Sequence, residues 1–152
     1  MPTKKLPRTL SGVAGEYFVA AELSRRGYIA SITLRNTKGI DILASNADAS
    51  LSVGIQVKTR QGSSKAWVLT KKAGNNYSEN FYYVFVNLKD EMSRPDYHVV
   101  PSKIAANFVR EAHAQWLETP GRGGRPHRDN PVRQFFDTDG KYIEKWEELG
   151  LE

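Results

Sequence analysis

A chain of 152 residues with 39% hydrophobic content can bury one core of its own but not two comfortable ones, so a single domain over 1–152 is expected. Lys and Arg number 22 against 17 Asp and Glu, and the net charge of +5 favours a polyanionic partner without requiring one. The absence of cysteine excludes disulfides and cysteine-ligated zinc, and His98, His113 and His127 are too far apart in sequence for a local metal motif.

The amino-terminal stretch MPTKKLPRTLSGVAGEYF is basic but has no apolar run of signal-peptide length, and no later run approaches a membrane span. A cytoplasmic protein with no membrane partner is expected. Residues 12–27, GVAGEYFVAAELSRRG, read as a helix in which Val13, Tyr17, Val19, Ala20, Ala21 and Leu23 share one arc. Glu22, Arg25 and Arg26 fall on the other side, and Gly27 supplies the stop. Strand-like segments follow at 28–34, 39–45 and 51–59, so a helix leads into a β-meander.

Residues 66–70 add a short strand. The run FYYVFVNL at 81–88 is almost continuously apolar, as expected of a central strand covered on both faces. After a strand at 97–100, Ser102 can cap a helix over 103–117 with a stripe of Ile104, Phe108, Ala112 and Trp116. Residues 119–134, rich in Gly, Pro and Arg, read as a flexible basic loop. In the final segment, DGKYIEKWEELG, Asp139 can cap a helix with Tyr142, Trp146 and Leu149 on one face. Tyr17, Trp116 and Trp146 are expected to be packing residues.

Four residues interrupt this pattern. Glu16 falls on the first helix beside the arc of Ala20 and Leu23, which aims a carboxylate inward, where it needs a cation or donors. A glutamate bonding backbone amides at the helix start is the other reading. On 51–59 the period of two puts Val53, Ile55, Val57 and Thr59 on one face and Gly54, Gln56 and Lys58 on the other. Half-exposed strands alternate in this way routinely, and Asp41 could simply close a turn. The ordered set is more specific: Glu on a helix, Asp on a strand, then Gln and Lys two apart on the next strand. Such a set suits phosphodiester cleavage, because hard oxygen ligands hold Mg²⁺ while an ammonium orients water or stabilises developing charge.

The pieces G-x-x-G-E-Y-F-V-A-A-E-L-S-R-R-G-Y at 12–28, G-I-D-I-L-A at 39–44 and I-Q-V-K-T at 55–59 resemble the PD-(D/E)XK nuclease superfamily. The similarity is to its branch of Holliday junction resolvases and Mrr-type restriction endonucleases. It implies an α/β (α+β) restriction-endonuclease-like fold with a mixed central β-sheet flanked by helices. By position, Asp41 and Glu16 resemble metal-ligand acids and Lys58 the catalytic lysine. Gln56 stands where a second acid is usual, a substitution the Mrr-type pattern also uses, and the Val57 backbone carbonyl would join the ligands. Isoleucine rather than proline precedes Asp41. The implied cofactor is Mg²⁺ or Mn²⁺ and the implied partner is nucleic acid, DNA foremost, with a homodimer attractive for cutting two strands.

Around these residues Arg60, Lys65, Lys71 and Lys72 follow the Lys58 strand, and Arg122, Arg125, Arg128 and Arg133 populate the later loop, enough to line a backbone groove. Trp67 could stack on an unpaired base or anchor a short strand in the core. Two rival readings stay open: a nucleic-acid-binding module of the same fold without turnover, and a protein-interaction domain whose basic surface aids solubility.

Overall fold

In the computed structural model, residues 4–34 and 39–152 are described, so residues 1–3 of the basic amino-terminal stretch lie outside the described residues. Helix α1 (Arg8–Arg25) starts directly after Pro7, whose φ of −56° suits a helix entry, four residues earlier than the apolar periodicity indicates. It ends at Arg25, and Gly27, just past the Arg26 cap, takes a φ of +90°. Strands β1 (Ile29–Ile32), β2 (Ile42–Ser45) and β3 (Ser52–Gln61) then form the expected antiparallel meander.

Strand β5 (Phe81–Leu88) pairs parallel with β3, and β6 (Asp96–Pro101) pairs antiparallel with β5, giving a mixed sheet of order β1-β2-β3-β5-β6. The crossover from β3 to β5 carries β4 (Trp67–Thr70) and a 3₁₀ turn over Lys71–Gly74. Strand β4 pairs with β7 (Val132–Phe135) in a separate two-stranded sheet. The basic stretch 119–134 therefore ends in a strand, which its Gly and Pro content hides.

Each face of the main sheet is covered by its own core. Val19 and Leu23 of α1 pack with Ile42, Val53, Ile55, Val57, Val84 and Val86 on one face. Trp67, Leu69, Phe81, Tyr83, Phe85 and Phe135 pack with Ala105 and Val109 of α2 (Ser102–Glu118) on the other. Alternate residues of β5 thus enter different cores, which explains its unbroken apolar run.

Helix α1 buries Val19 and Leu23 of the expected arc and packs Ala20 against the core, but its inward side is shifted away from Tyr17. Its buried side is Ser11, Gly15, Val19 and Leu23, while Tyr17 is 63% exposed. Close approach decides this: a Cβ on Gly15 would lie 1.9 Å from Thr59 Oγ1 of β3. Glu22, expected on the outer side, is buried and bonded by Arg25, Arg26 and Arg94. Glu144 takes Arg26, Arg94 and the indole N–H of Trp146, which donates at 2.7 Å. This network ties α1 to the β5–β6 connection and to the carboxy-terminal segment.

Two expected caps belong elsewhere. Ser102 does not cap α2, whose N-cap is Pro101; its hydroxyl accepts from Ser78 N at 3.1 Å and donates to Ser78 O at 3.0 Å. The buried side of α2 is Ser102, Ala105, Ala106 and Val109, one step round from the expected stripe. The final segment is not an α-helix capped by Asp139. Asp137 accepts from Lys141 N and Tyr142 N and pairs with His98 Nδ1 at 2.7 Å. Glu144 adopts a left-handed φ of 55°, and Glu144 N donates to Tyr97 O, so this stretch runs along β6. Only Trp146–Leu149 coils, as a 3₁₀ turn, and it buries Trp146 and Leu149 as the pattern requires. Among the described residues no helix is long and apolar enough to cross a membrane.

Gly15→Ala is expected to destabilise the protein by about 1–3 kcal/mol because α1 must lift from Thr59. Gly12→Ala, whose new Cβ meets nothing within 4 Å, should stabilise by up to about 1 kcal/mol. Urea denaturation of both checks the pair. Burial of Glu144 opposes its ionisation, but bonds from Arg94 and Trp146 outweigh this and lower its pKa. A folded pKa below the unfolded one contributes stability above the ordinary carboxylate range, and that stability is lost as pH falls through the lowered value. Glu144→Gln should therefore cost about 1 kcal/mol at neutral pH and flatten the acid limb of stability against pH, measured by thermal melts.

Candidate active site

Asp41 sits where the regular β2–β3 ladder stops. Its N–H donates to Ile55 O at 2.8 Å, and its carboxylate Oδ2 accepts from Val57 N at 2.7 Å, so the side chain completes a bond the backbone would otherwise make. These two bonds bracket Gln56 and hold Asp41 level with it. From the other side, Thr33 N donates to Asp41 O at 2.9 Å and Thr33 Oγ1 to Ile40 O at 2.6 Å. Asp41 is thereby fixed between two strands, although it lies just outside a strand itself.

Glu16 is partly buried on α1 and, with Asp41, lines a cleft of about 240 Å³. Arg8, Thr9 and Thr33 share the walls. Sequence reading missed all three. For Arg8 and Thr9 the available signal was Pro7, which marks a helix start a full turn before the apolar stripe.

Gln56 and Lys58 project from the face of β3 opposite that covered by α1. They line a second recess of about 630 Å³. The four expected residues thus divide into an acid pair and an amide–ammonium pair, and the level placement of Asp41 and Gln56 links the two. On an extended strand the N–H and C=O of one residue point the same way, so the Val57 carbonyl is directed to the Asp41 side with its N–H.

The donors on the Asp41 side are oxygens, the carboxylates of Asp41 and Glu16 and the Val57 carbonyl, while the Gln56 amide lines the second recess. Such a set fits a hard divalent cation, Mg²⁺ or Mn²⁺, rather than a thiophilic one. Among the described residues no cluster of three or more His, Cys, Asp or Glu could hold a metal. With an amide at position 56, an oxygen site here contains only two acids.

The expected basic contacts separate by exposure. Lys65, Lys71, Lys72, Arg122, Arg125 and Arg128 are exposed. Arg60 instead lies over the Trp67 ring at 3.7 Å from its centroid and donates to Asn87 Oδ1. Desolvation there lowers its pKa, partly offset by Asp96 and Asp137. Trp67 is 2% exposed and donates Nε1–H to Val86 O at 2.9 Å, so base stacking is corrected to a core anchor. Arg133 is likewise buried, donating to the carbonyls of Asn130 and Val132.

No family model and no curated protein matches the sequence. Among solved structures, the bacterial homing endonuclease I-Ssp6803I is similar with a TM-score of 0.52 and 12% identity, over 93% of this chain and 90% of that one. The Holliday junction resolvase Hjc of Archaeoglobus fulgidus is similar with a TM-score of 0.39 and 16% identity, over 83% of this chain and 88% of that one. The chain has a restriction-endonuclease-like fold, a mixed sheet with an amino-terminal helix.

Asp41→Ala would orphan the Val57 N–H and should cost about 1–3 kcal/mol of stability, whereas Asp41→Asn retains an acceptor oxygen and should cost less than about 1 kcal/mol. Chemical denaturation of the two variants distinguishes these outcomes and identifies Asn as the substitution for activity work.

Proposed function

We propose that this chain, as one domain, is a divalent-metal-dependent nuclease that hydrolyses phosphodiester bonds of DNA by attack of water. The observation that carries the reading is the placement of Asp41: level with Gln56, bonded to Val57 N–H, and sharing a cleft with Glu16. Asp41, Glu16, the Gln56 amide oxygen and the Val57 carbonyl would hold the cation. Bound there, Mg²⁺ or Mn²⁺ supplies neutralisation of phosphate charge and acidification of water. The homing endonuclease with this fold makes DNA the first substrate to test.

The chain's own groups divide the remaining work. Asp41 keeps Oδ1 for ligand binding while Oδ2 is held by the backbone, so its carboxylate is oriented before any ligand arrives. Lys58 makes no ion pair with a described residue, and its ammonium serves to orient the attacking water or to stabilise charge developing on the phosphate. Lys65, Lys71, Lys72, Arg122, Arg125 and Arg128 give salt-sensitive contacts to the nucleic-acid backbone. Gln56 supports a second reading, a binding module without turnover, because a neutral amide holds a cation less strongly than a carboxylate.

Asp41→Asn should abolish Mg²⁺- or Mn²⁺-dependent cleavage of linear, four-way and single-stranded DNA, and Lys58→Ala should lower the rate by about 100-fold or more. Calorimetric titration with Mn²⁺ should show binding lost in Asp41→Asn and tightened by about tenfold or more in Gln56→Glu. Cleavage by Asp41→Asn at the wild-type rate would reject the assignment. Salt-dependent binding with no cleavage of any form by the wild type would select the second reading.

A further inference from the structure

The recess beside Gln56 and Lys58 is lined by more polar groups than those two. Lys72, Asn75, Asn76 and Tyr83 also face it, and no carboxylate is among its described lining residues. Tyr83 is the informative member. It lies directly across from Gln56 in the parallel β3–β5 pairing, on the same face. Its ring is fixed between Phe81 and Phe85, at centroid distances of 5.2 and 5.3 Å.

The Tyr83 residue is 2% exposed, yet its hydroxyl forms no hydrogen bond with any described residue. Among the described residues the enclosed side-chain atom without a hydrogen-bond partner is Thr59 Oγ1, so the Tyr83 hydroxyl keeps access to solvent, and its side chain lines the open recess. Burial pushes its pKa up to about 12, so it keeps its proton and remains a donor at neutral pH. The side chains of Gln56, Lys58, Lys72, Asn75 and Asn76 likewise make no hydrogen bond or ion pair among the described residues. Two ammonium groups, several amide N–H donors and a phenol, with no acid between them, are complementary to an anion rich in acceptor oxygens.

We propose that this recess binds one phosphodiester group of the nucleic-acid backbone adjoining the bond to be cut, with Tyr83 O–H and the Asn76 amide as neutral donors and Lys72 as counter-charge. The proposal rests on the nuclease reading for its choice of ligand but concerns binding, not the acid pair. It makes Tyr83 and Asn76 substrate-positioning residues.

The test is fluorescence anisotropy of labelled linear, four-way and single-stranded DNA with the full chain in EDTA, across a range of chloride concentrations. Thermal melts confirm that each variant is folded. Lys72→Ala should reduce the slope of log affinity against log salt by about one unit. Tyr83→Phe, which keeps the ring, and Asn76→Ala should each weaken binding by about three- to tenfold with the slope unchanged, as neutral donors would. Wild-type affinity in Tyr83→Phe and Asn76→Ala, or no DNA binding by the wild type, overturns the proposal. In a further arm, phosphate replaces chloride at matched ionic strength. Release of DNA no greater than in chloride supports a diester, while selective release that Tyr83→Phe abolishes makes free phosphate the occupant and overturns the backbone assignment. Because the assay contains no divalent ion, a wild type that binds as described but never cleaves rejects the nuclease reading and leaves the recess standing.

Discussion

The hydrogen bond from Val57 N–H to Asp41 Oδ2 joins the fold to the candidate chemistry, because it makes one carboxylate part of a sheet ladder. A side chain in that role cannot swing away without leaving a backbone donor unpaired, so its orientation is fixed as firmly as the strand it completes. The bond also sets the level of Gln56 beside Asp41. Everything proposed for the acid pair and the amide–ammonium pair depends on that alignment.

Helix α1 brings Glu16 to the same place by a steric route. Gly15 lets the helix backbone settle on Thr59, whose buried hydroxyl has no hydrogen-bond partner among the described residues, and Glu16 is the next residue along the chain. The Glu22–Arg94–Glu144 network then holds the helix from its far end, tying it to two segments distant in sequence. The helix is thus positioned by one close contact and one charged cluster, with Val19 and Leu23 filling the core between them. The groups that line the second recess, on the other side of the sheet, depend on a different core, in which Trp67, Phe85 and Phe135 pack around β4 and β7.

Much of this was legible from local pattern. Period-two alternation located β3 and separated Gln56 and Lys58 from Val53, Ile55 and Val57; the run at 81–88 announced a strand buried on both faces. Where tertiary contacts compete with hydrophobicity, the pattern misled. Tyr17 looked like a core residue and is exposed, because small residues, rather than large ones, define the contact side of α1. Glu22 looked solvated and is buried, because its arginine partners include one 72 residues away. The last segment keeps its apolar spacing but not its helix, since pairing with β6 and the carboxylate of Asp137 claim its backbone N–H groups.

The sequence by itself determined which residues alternate, which turn and which carry charge, because those properties follow from side-chain chemistry within a few residues of chain. It therefore marked Glu16, Asp41, Gln56 and Lys58 as exceptions to their surroundings. Only the tertiary structure decided that the four divide between two depressions, that Trp67 and Arg60 are occupied with each other, and that Tyr83 lies across from Gln56 and lines the same recess. Those outcomes depend on strand register and on the approach of segments far apart in the chain, which no local periodicity encodes.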